Sequence, residues 1–306
     1  MDLPALPAIS EWRLSMNLQK CEALLKAIEL GSISRAADQM GYTQSAVSRM
    51  IADLESEWDM ELLRRSRSGI TISSAGQQLL PILRSISADC AQLKYTVNEM
   101  HGLHIGLIRV GTFTSIADQW IPKMLTSFQG LYPNIEFELI NSEIYSDIEE
   151  WILRGKVDCG FVSLPTVNDL NTRFLRRDML VAVLPENHPQ ANAETFPIEA
   201  LEGAPYIMIK EEDDYEIRRF LDSLPYRPKL RFEVSSDHTT LAMVESGLGI
   251  SIMHSLMADN GRYRVVWKPF DNPQYRSVGI ATAKNARLSS ITKFFIDHVC
   301  TYFTLT

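Results

Sequence analysis

Between Leu18 and Glu55 the apolar residues recur at helical spacing in three short blocks, and glycine interrupts the pattern twice. The blocks are Leu18/Leu24/Leu25/Ile28, Ile33/Ala36/Ala37/Met40 and Ala46/Val47/Met50/Ile51/Leu54, and the breaks are Gly31-Ser32 and Gly41-Tyr42-Thr43. Helices this short cannot bury a stripe alone, so the pattern predicts three of them around one small core. The second break is short and begins with glycine, as a helix-turn-helix requires to set two helices at a steep angle. Thr43 offers a side-chain oxygen to cap the third helix.

The next segment is basic. Arg64-Arg65-Ser66-Arg67-Ser68-Gly69 leads into Ile70-Thr71-Ile72, an alternating, β-prone stretch that reads as a small wing. The 306-residue chain has 30 Lys+Arg against 38 Asp+Glu, a formal net charge of −8, so its surface as a whole does not suit a polyanion. From Leu63 to Leu83, however, the local charge is +3, with no acidic residue. Any nucleic-acid contact has to be local, and this is where phosphate would be met. From Ala75 to Met100 the positions Leu79, Leu83, Ile86, Cys90, Leu93, Val97 and Met100 are spaced 4, 3, 4, 3, 4, 3, a heptad stripe interrupted only by Pro81 near its start. A helix with such a stripe needs a partner. The same helix of a second copy is the simplest one, which predicts a homodimer.

Beyond Ile105 strands alternate with helices: Leu107 to Gly111, a helix from Ser115 to Leu131, Ile135 to Ile140, a helix from Tyr145 to Arg154, and Cys159 to Val162. That order predicts a parallel sheet with helices on its faces. A second set runs from Leu180 to Met253, and Val278 to Thr282 with a helix over Ser289 to Tyr302 closes the chain. Two α/β lobes imply a cleft beyond the carboxyl ends of the strands.

Composition excludes several classes. With 45% hydrophobic and 22% charged residues the chain is neither disordered nor purely coiled coil. The four cysteines, Cys21, Cys90, Cys159 and Cys300, fit no zinc spacing, and neither a metal nor a cofactor is expected. The start, Met-Asp-Leu-Pro-Ala-Leu-Pro, lacks a basic leader, and no uncharged apolar run of about 18 residues occurs, so a cytoplasmic location without membrane contact is expected. Residues 1–16 are assigned no role. A hydrolase built on Ser235, Ser236, Asp237 and His238 fails because adjacent residues cannot converge as a triad, and no G-x-S-x-G elbow exists. A free-standing solute-binding protein has no use for a helix-turn-helix. A redox sensor based on Cys159 needs a low-pKa thiol, whereas Cys159 lies in an apolar strand.

The stretch Ile28 to Glu55, with Gly31-Ser32-Ile33-Ser34-Arg35-Ala36-Ala37 and Gln44-Ser45-Ala46-Val47-Ser48-Arg49, resembles the DNA-binding module of LysR-type transcriptional regulators, and the likeness continues through Thr71-Ile72-Ser73-Ser74-Ala75-Gly76. Leu107-Ile108-Arg109-Val110-Gly111, Tyr132-Pro133-Asn134, Gly155-Lys156-Val157-Asp158 and Ser246-Gly247-Leu248-Gly249-Ile250 resemble that family's effector-binding half. The chain departs from the pattern at Cys21, where phenylalanine is usual, at Asp59, where glycine is common, and at Met253-His254, which replace Leu-Pro. The resemblance implies a multidomain chain: a winged helix-turn-helix over 17–76, a linker helix over 77–103, and a two-lobed α/β effector domain over 104–306 similar to type 2 periplasmic binding proteins. Lobe 1 would take about 105–180 and 273–306, and lobe 2 about 181–272. It implies no catalytic activity. The implied partners are double-stranded DNA, a small polar effector with an anion as the expected chemistry, a second copy of the chain in a dimer or tetramer, and RNA polymerase.

A recognition helix must present short polar groups and a guanidinium near its N-terminus. Gln44, Ser45, Ser48 and Arg49 supply these, with Thr43 at the cap. Ser34 and Arg35 on the preceding helix, and Arg65 and Arg67 in the wing, suit the backbone and the minor groove. In the effector half, Thr114 and Ser115 lie at a helix start, where free N–H groups favour an anion. Ile144, Tyr145, Ser163, Lys210, His238, Thr239 and His254 are further candidates at strand ends and helix starts.

Overall fold

The fold is described for residues 17–66, 69–100, 105–209, 215–225, 227–259 and 261–305 of a computed structural model. The expectations at Arg67 and Lys210 lie outside the described residues, as do residues 1–16, and Arg65 is described for its backbone alone. Two compact units emerge, Met1–Leu93 and Lys94–Thr306.

In the first unit α1 (Leu18–Leu30), α2 (Ile33–Met40) and α3 (Gln44–Trp58) enclose Leu24, Ala27, Ala36, Val47, Ile51 and Leu54, all fully buried. The side chains that start these helices are those the sequence offers. Asn17 accepts from Gln19 N, Ser32 from Arg35 N at 3.3 Å, and Thr43 from Ala46 N at 3.2 Å. Gly41 ends α2 at φ 71°, the left-handed backbone that a turn between steeply crossed helices demands. Asp59 ends α3 at φ 51°, and it is the one non-glycine at positive φ among the described residues. This is the position where the sequence departs from glycine. Left-handed backbone costs an L-residue about 1–2 kcal/mol, less for Asp, while glycine gives back several tenths through its freer unfolded chain. Asp59→Gly is therefore expected to stabilise the chain by about 0.5 kcal/mol, read as a higher urea midpoint at unchanged slope.

β1 (Leu63–Ser66) and β2 (Gly69–Ile72) pair antiparallel as the wing. The Glu55 carboxylate of α3 accepts from Leu62 N at 2.7 Å and Leu63 N at 3.0 Å, which fixes where the wing leaves the helix. Gly76 permits the next close approach, because a Cβ there would stand 2.6 Å from the Leu62 carbonyl oxygen. α4 (Ser74–Met100) runs unbroken through Pro81. Its stripe does not behave as one seam: Leu79 and Leu83 pack into the three-helix core, Ile86 and Cys90 are half-buried, and Leu93 and Val97 are 64% and 44% exposed. Burying its first turn in its own domain anchors the helix and leaves the later turns for a partner.

The second unit is built on β3 (Gly106–Thr112), β4 (Ile135–Asn141), β5 (Cys159–Leu164), β6 (Leu170–Pro185), β7 (Pro205–Ile209), β8 (Lys229–Val234), β9 (Ser251–His254), β10 (Val265–Pro269) and β11 (Tyr275–Ala283). β3 lies between β4 and β5 and is parallel to both, as the βαβαβ order predicts. β11 and β6 extend that sheet antiparallel, giving the order β10-β6-β11-β5-β3-β4. β6 is longer than the stretch from Leu180 read in the sequence. Its first part pairs with β11 in lobe 1, and Leu180 to Pro185 pair with β9 and β10 in lobe 2. β7 and β8 pair parallel beside β9.

The helix expected from Ser115 to Leu131 is instead two, α5 (Thr114–Gln119) and α6 (Ile121–Leu131), broken at Trp120 ahead of Pro122. With α7 (Tyr145–Leu153) and α11 (Ser290–Leu305) they cover the lobe 1 core of Met124, Phe128, Phe161 and Phe295. α8 (Tyr215–Ser223), α9 (Asp237–Glu245) and α10 (Ser255–Ala258) cover lobe 2.

Candidate DNA interface and effector cleft

Helical periodicity places the polar residues of α2 and α3 on the face away from the core. Ser34, Arg35, Thr43, Gln44, Ser45 and Arg49 are exposed and Ser48 is half-buried. The Thr43 hydroxyl caps α3 and lies 3.0 Å from that of Ser45, and Arg35 donates to the Leu30 carbonyl. An i, i+4 pair between Arg49 and Asp53 would have explained Arg49 by structure alone. Asp53 instead faces Lys20 of α1 at 3.8 Å, and Arg49 has no ion-pair partner among the described residues. Arg64 in the wing approaches Glu61 at 3.6 Å; both are exposed, so the pair is a weak competitor for phosphate.

In the second unit the lobes meet over a small cavity lined from lobe 1 by Phe113, Ser115, Glu143 and Tyr145, and from lobe 2 by Asp237, Met253 and His254, among others. The sequence candidates Ser115, Tyr145 and His254 come together here. Ser163 lies beside them, donating to Glu216 at 2.8 Å across the lobes, and His254 Nε2 stands 3.3 Å from the other oxygen of Glu216. Thr114 is buried and donates to Glu143, while Asn141 donates to Thr114 at 3.1 Å. The Glu143 carboxylate thus engages the Thr114 hydroxyl beside the helix start. Ile144 is half-buried just before α7. His238 is a lobe-to-lobe contact, 3.4 Å from Asp118 of α5, which Arg262 also approaches at 3.3 Å. Thr239 is exposed, its N–H held by Ser236.

The residue that organises the cleft is Arg276 of β11, which the sequence reading did not single out. It is buried, and its Nε and Nη2 donate to one oxygen of Asp178 at 3.0 and 2.6 Å. Nη2 also reaches Ser115 Oγ at 2.8 Å, Nη1 reaches the Tyr145 hydroxyl at 2.5 Å, and the guanidinium lies 4.7 Å from the Phe113 ring centre. The second Asp178 oxygen accepts from Ser255 Oγ at 2.8 Å and Leu256 N at 3.1 Å, where α10 of lobe 2 begins. Asp178 therefore joins both lobes at the strand that runs between them. Burial pushes its carboxyl up, but the Arg276 charge, then His254 and the donors of Leu256 and Ser255, outweigh this and hold it below the usual carboxylate range. Burial likewise pushes Arg276 down, and Tyr145 and Asp178 reverse it. In the sequence Arg276 lies in the polar start of β11, ahead of the Val278 to Thr282 stretch, and its meaning appears only with the register that sets it opposite Asp178.

Cys159 is fully buried in β5, and burial, with Asp158 nearby, raises its thiol well above the ordinary value. It is no thiolate near neutral pH, which removes the chemical basis of a redox role. No cluster of potential metal ligands occurs among the described residues.

A winged helix-turn-helix followed by a two-lobed α/β unit with a polar cleft defines a DNA-binding regulator of the ligand-sensing kind. Residues 18–77 match the bacterial regulatory helix-turn-helix protein of the lysR family, and residues 101–303 match the LysR substrate binding domain. The chain belongs to the LysR family of transcriptional regulators. The Bacillus subtilis HTH-type transcriptional regulator YvbU is 27% identical over 92% of this chain and 97% of its own. Among solved structures, a full-length OxyR variant from Pseudomonas aeruginosa superposes with a TM-score of 0.74 at 19% identity, over 94% of this chain and 97% of its own. Full-length CbnR complexed with its target DNA gives 0.64 at 18% identity, over 93% and 99%. At these identities the structural likeness establishes the fold. The relatives are named as regulators, not enzymes, and no helix among the described residues is long and apolar enough to cross a membrane.

Proposed function

We propose that this regulator reads its operator with the N-terminal turns of α3. Gln44 and Arg49 take base edges in the major groove, with Ser45 and Ser48 beside them, while Ser34, Arg35 and Thr43 hold the phosphate backbone and Arg65 and Arg67 bring the wing to the minor groove. The observation that carries this reading is Arg49, exposed on the recognition helix with no ion-pair partner among the described residues. The working divisions are a DNA-binding domain over 17–76, a linker over 77–103 and an effector domain over 104–306. Two copies joined through the linker present two recognition helices to a dyad-symmetric site, and a dimer of dimers extends the contact. The chain has no catalytic role; its output is a change in how the dimers sit on DNA when a small molecule enters the cleft. DNA-bound regulators of this kind work in the cytoplasm, beside RNA polymerase.

Arg49→Ala tests the reading. A bidentate contact to guanine predicts a loss of about 1–3 kcal/mol on the operator with little change on random DNA, measured by fluorescence anisotropy at fixed salt. Equal losses on both would make Arg49 a phosphate contact.

A further inference from the structure

A groove of about 640 Å³ lies in lobe 1 and shares no lining residue with the cleft cavity. It is lined by the turn from Pro165 to Asn168, by Thr172 and Phe174 of β6, and by Leu164 and Ser277 on the neighbouring strands. Glu149 of α7 pins the turn: its buried carboxylate accepts from Val167 N at 3.1 Å, Asn168 N at 2.8 Å and Asn168 Nδ2 at 3.0 Å. On that fixed backbone Val167 stands 84% exposed, and Phe174 across the groove is 58% exposed. Apolar side chains held in water by rigid backbone mark a surface prepared for a partner. The charge beside them is positive. Register sets Arg177 opposite Ser277 and Phe174 opposite Gly279, hence on one face of the sheet, and Arg176 stands next to Arg177. Both arginines are exposed without an ion-pair partner among the described residues, in a chain of net charge −8. Asp169, the acid that lines the groove, is taken by Lys284.

Aromatic rings and arginines are the residues that carry most binding energy at protein interfaces. A groove this open would leave a small molecule largely in water, whereas small-molecule pockets enclose most of their ligand. From Leu170 to Asp178 β6 pairs with β11 along one edge, and β9 and β10 join it only from Leu180 onward, so its other edge meets no strand among the described residues. An extended segment can add main-chain hydrogen bonds there and send alternate side chains into the groove. A twofold contact with a second copy would bring the arginines of both copies to one interface, where they repel. We propose that this face docks an extended acidic segment of a partner protein, with its apolar side chains between Val167 and Phe174 and its carboxylates on Arg176 and Arg177.

The test selects ligands for the full-length protein from a phage library of random dodecapeptides and measures the enriched peptides, made synthetically, by fluorescence anisotropy. The expected consensus alternates Asp or Glu with Phe, Leu, Ile or Val. Phe174→Ala and Arg177→Glu are each expected to weaken the enriched peptide at least tenfold. Both side chains are exposed, so the urea midpoint of each variant should match wild type, as should its sedimentation mass and operator affinity. A basic consensus, or no enriched sequence, overturns the proposal. An acidic peptide bound equally by wild type and both variants places its site elsewhere and also overturns it. A lower mass for Arg177→Glu would assign the face to a second copy of the chain, and a loss of operator affinity would assign it to DNA; either result replaces the peptide.

Discussion

Asp178→Ala is expected to destabilise the effector domain by about 3–5 kcal/mol, because it leaves the Arg276 guanidinium buried with its counter-charge gone. The same change removes the acceptor for Ser255 and Leu256, so both lobes lose an anchor at the strand they share. Asp178→Asn keeps the shape and part of the hydrogen bonding and should cost less. The pH dependence has a definite sign. Asp178 is held below its unfolded value in the native chain, so its contribution is fully present above the ordinary aspartate range, near pH 4, and is lost as pH falls through the depressed native value. The difference between wild type and Asp178→Ala should therefore be constant from pH 7 to about 5 and shrink below pH 4, as measured by urea unfolding at each pH. A difference that grows on acidification would show that Asp178 is not the charged partner of Arg276.

The second large effect is expected at the linker. Leu93 and Val97 are exposed on the single chain, and burying a side chain of this size contributes about 1.5–3 kcal/mol. Replacing both Ile86 and Leu93 with Lys sets like charges across the seam as well, and should weaken dimerisation by a hundredfold or more. At micromolar concentration, sedimentation should then give a 34.7 kDa species in place of the dimer. Ile86 is half-buried within its own domain, so Leu93→Lys with Val97→Lys provides the cleaner variant. An unchanged dimer mass with this second pair would place the interface elsewhere.

What could be read in the sequence was what is decided locally. The three helices around Leu24, Val47 and Leu54 announce themselves through period, cap and glycine, because Ser32, Thr43 and Gly41 act on backbone within a few residues of themselves. The parallel order of β3, β4 and β5 follows from alternation alone. Arg276 and Asp178 are separated by 98 positions, and only strand register makes them partners. The full length of β6 was hidden for another reason: its first part carries Arg173, Arg176, Arg177 and Asp178 and so lacks an apolar strand signature. The heptad of α4 was visible, but not where it changes partner: Leu79 and Leu83 are taken by the domain core and Leu93 and Val97 are left outside, a distinction that depends on the tertiary position of the first turns. Glycine's usual place at Asp59 was noticed as a departure, and its consequence, a left-handed Asp closing α3, needed the backbone angle.

A dimeric LysR regulator whose recognition helices read DNA in pairs requires an operator with matching symmetry. Binding sites for the full-length protein can be selected from a library of random duplexes. The expected result is enrichment of a dyad-symmetric sequence whose half-sites lie one helical turn or a multiple of it apart, lost with Arg49→Ala and weakened with Leu93→Lys/Val97→Lys. Enrichment of a single asymmetric half-site, or of no sequence at all under salt conditions that permit non-specific binding, would contradict it.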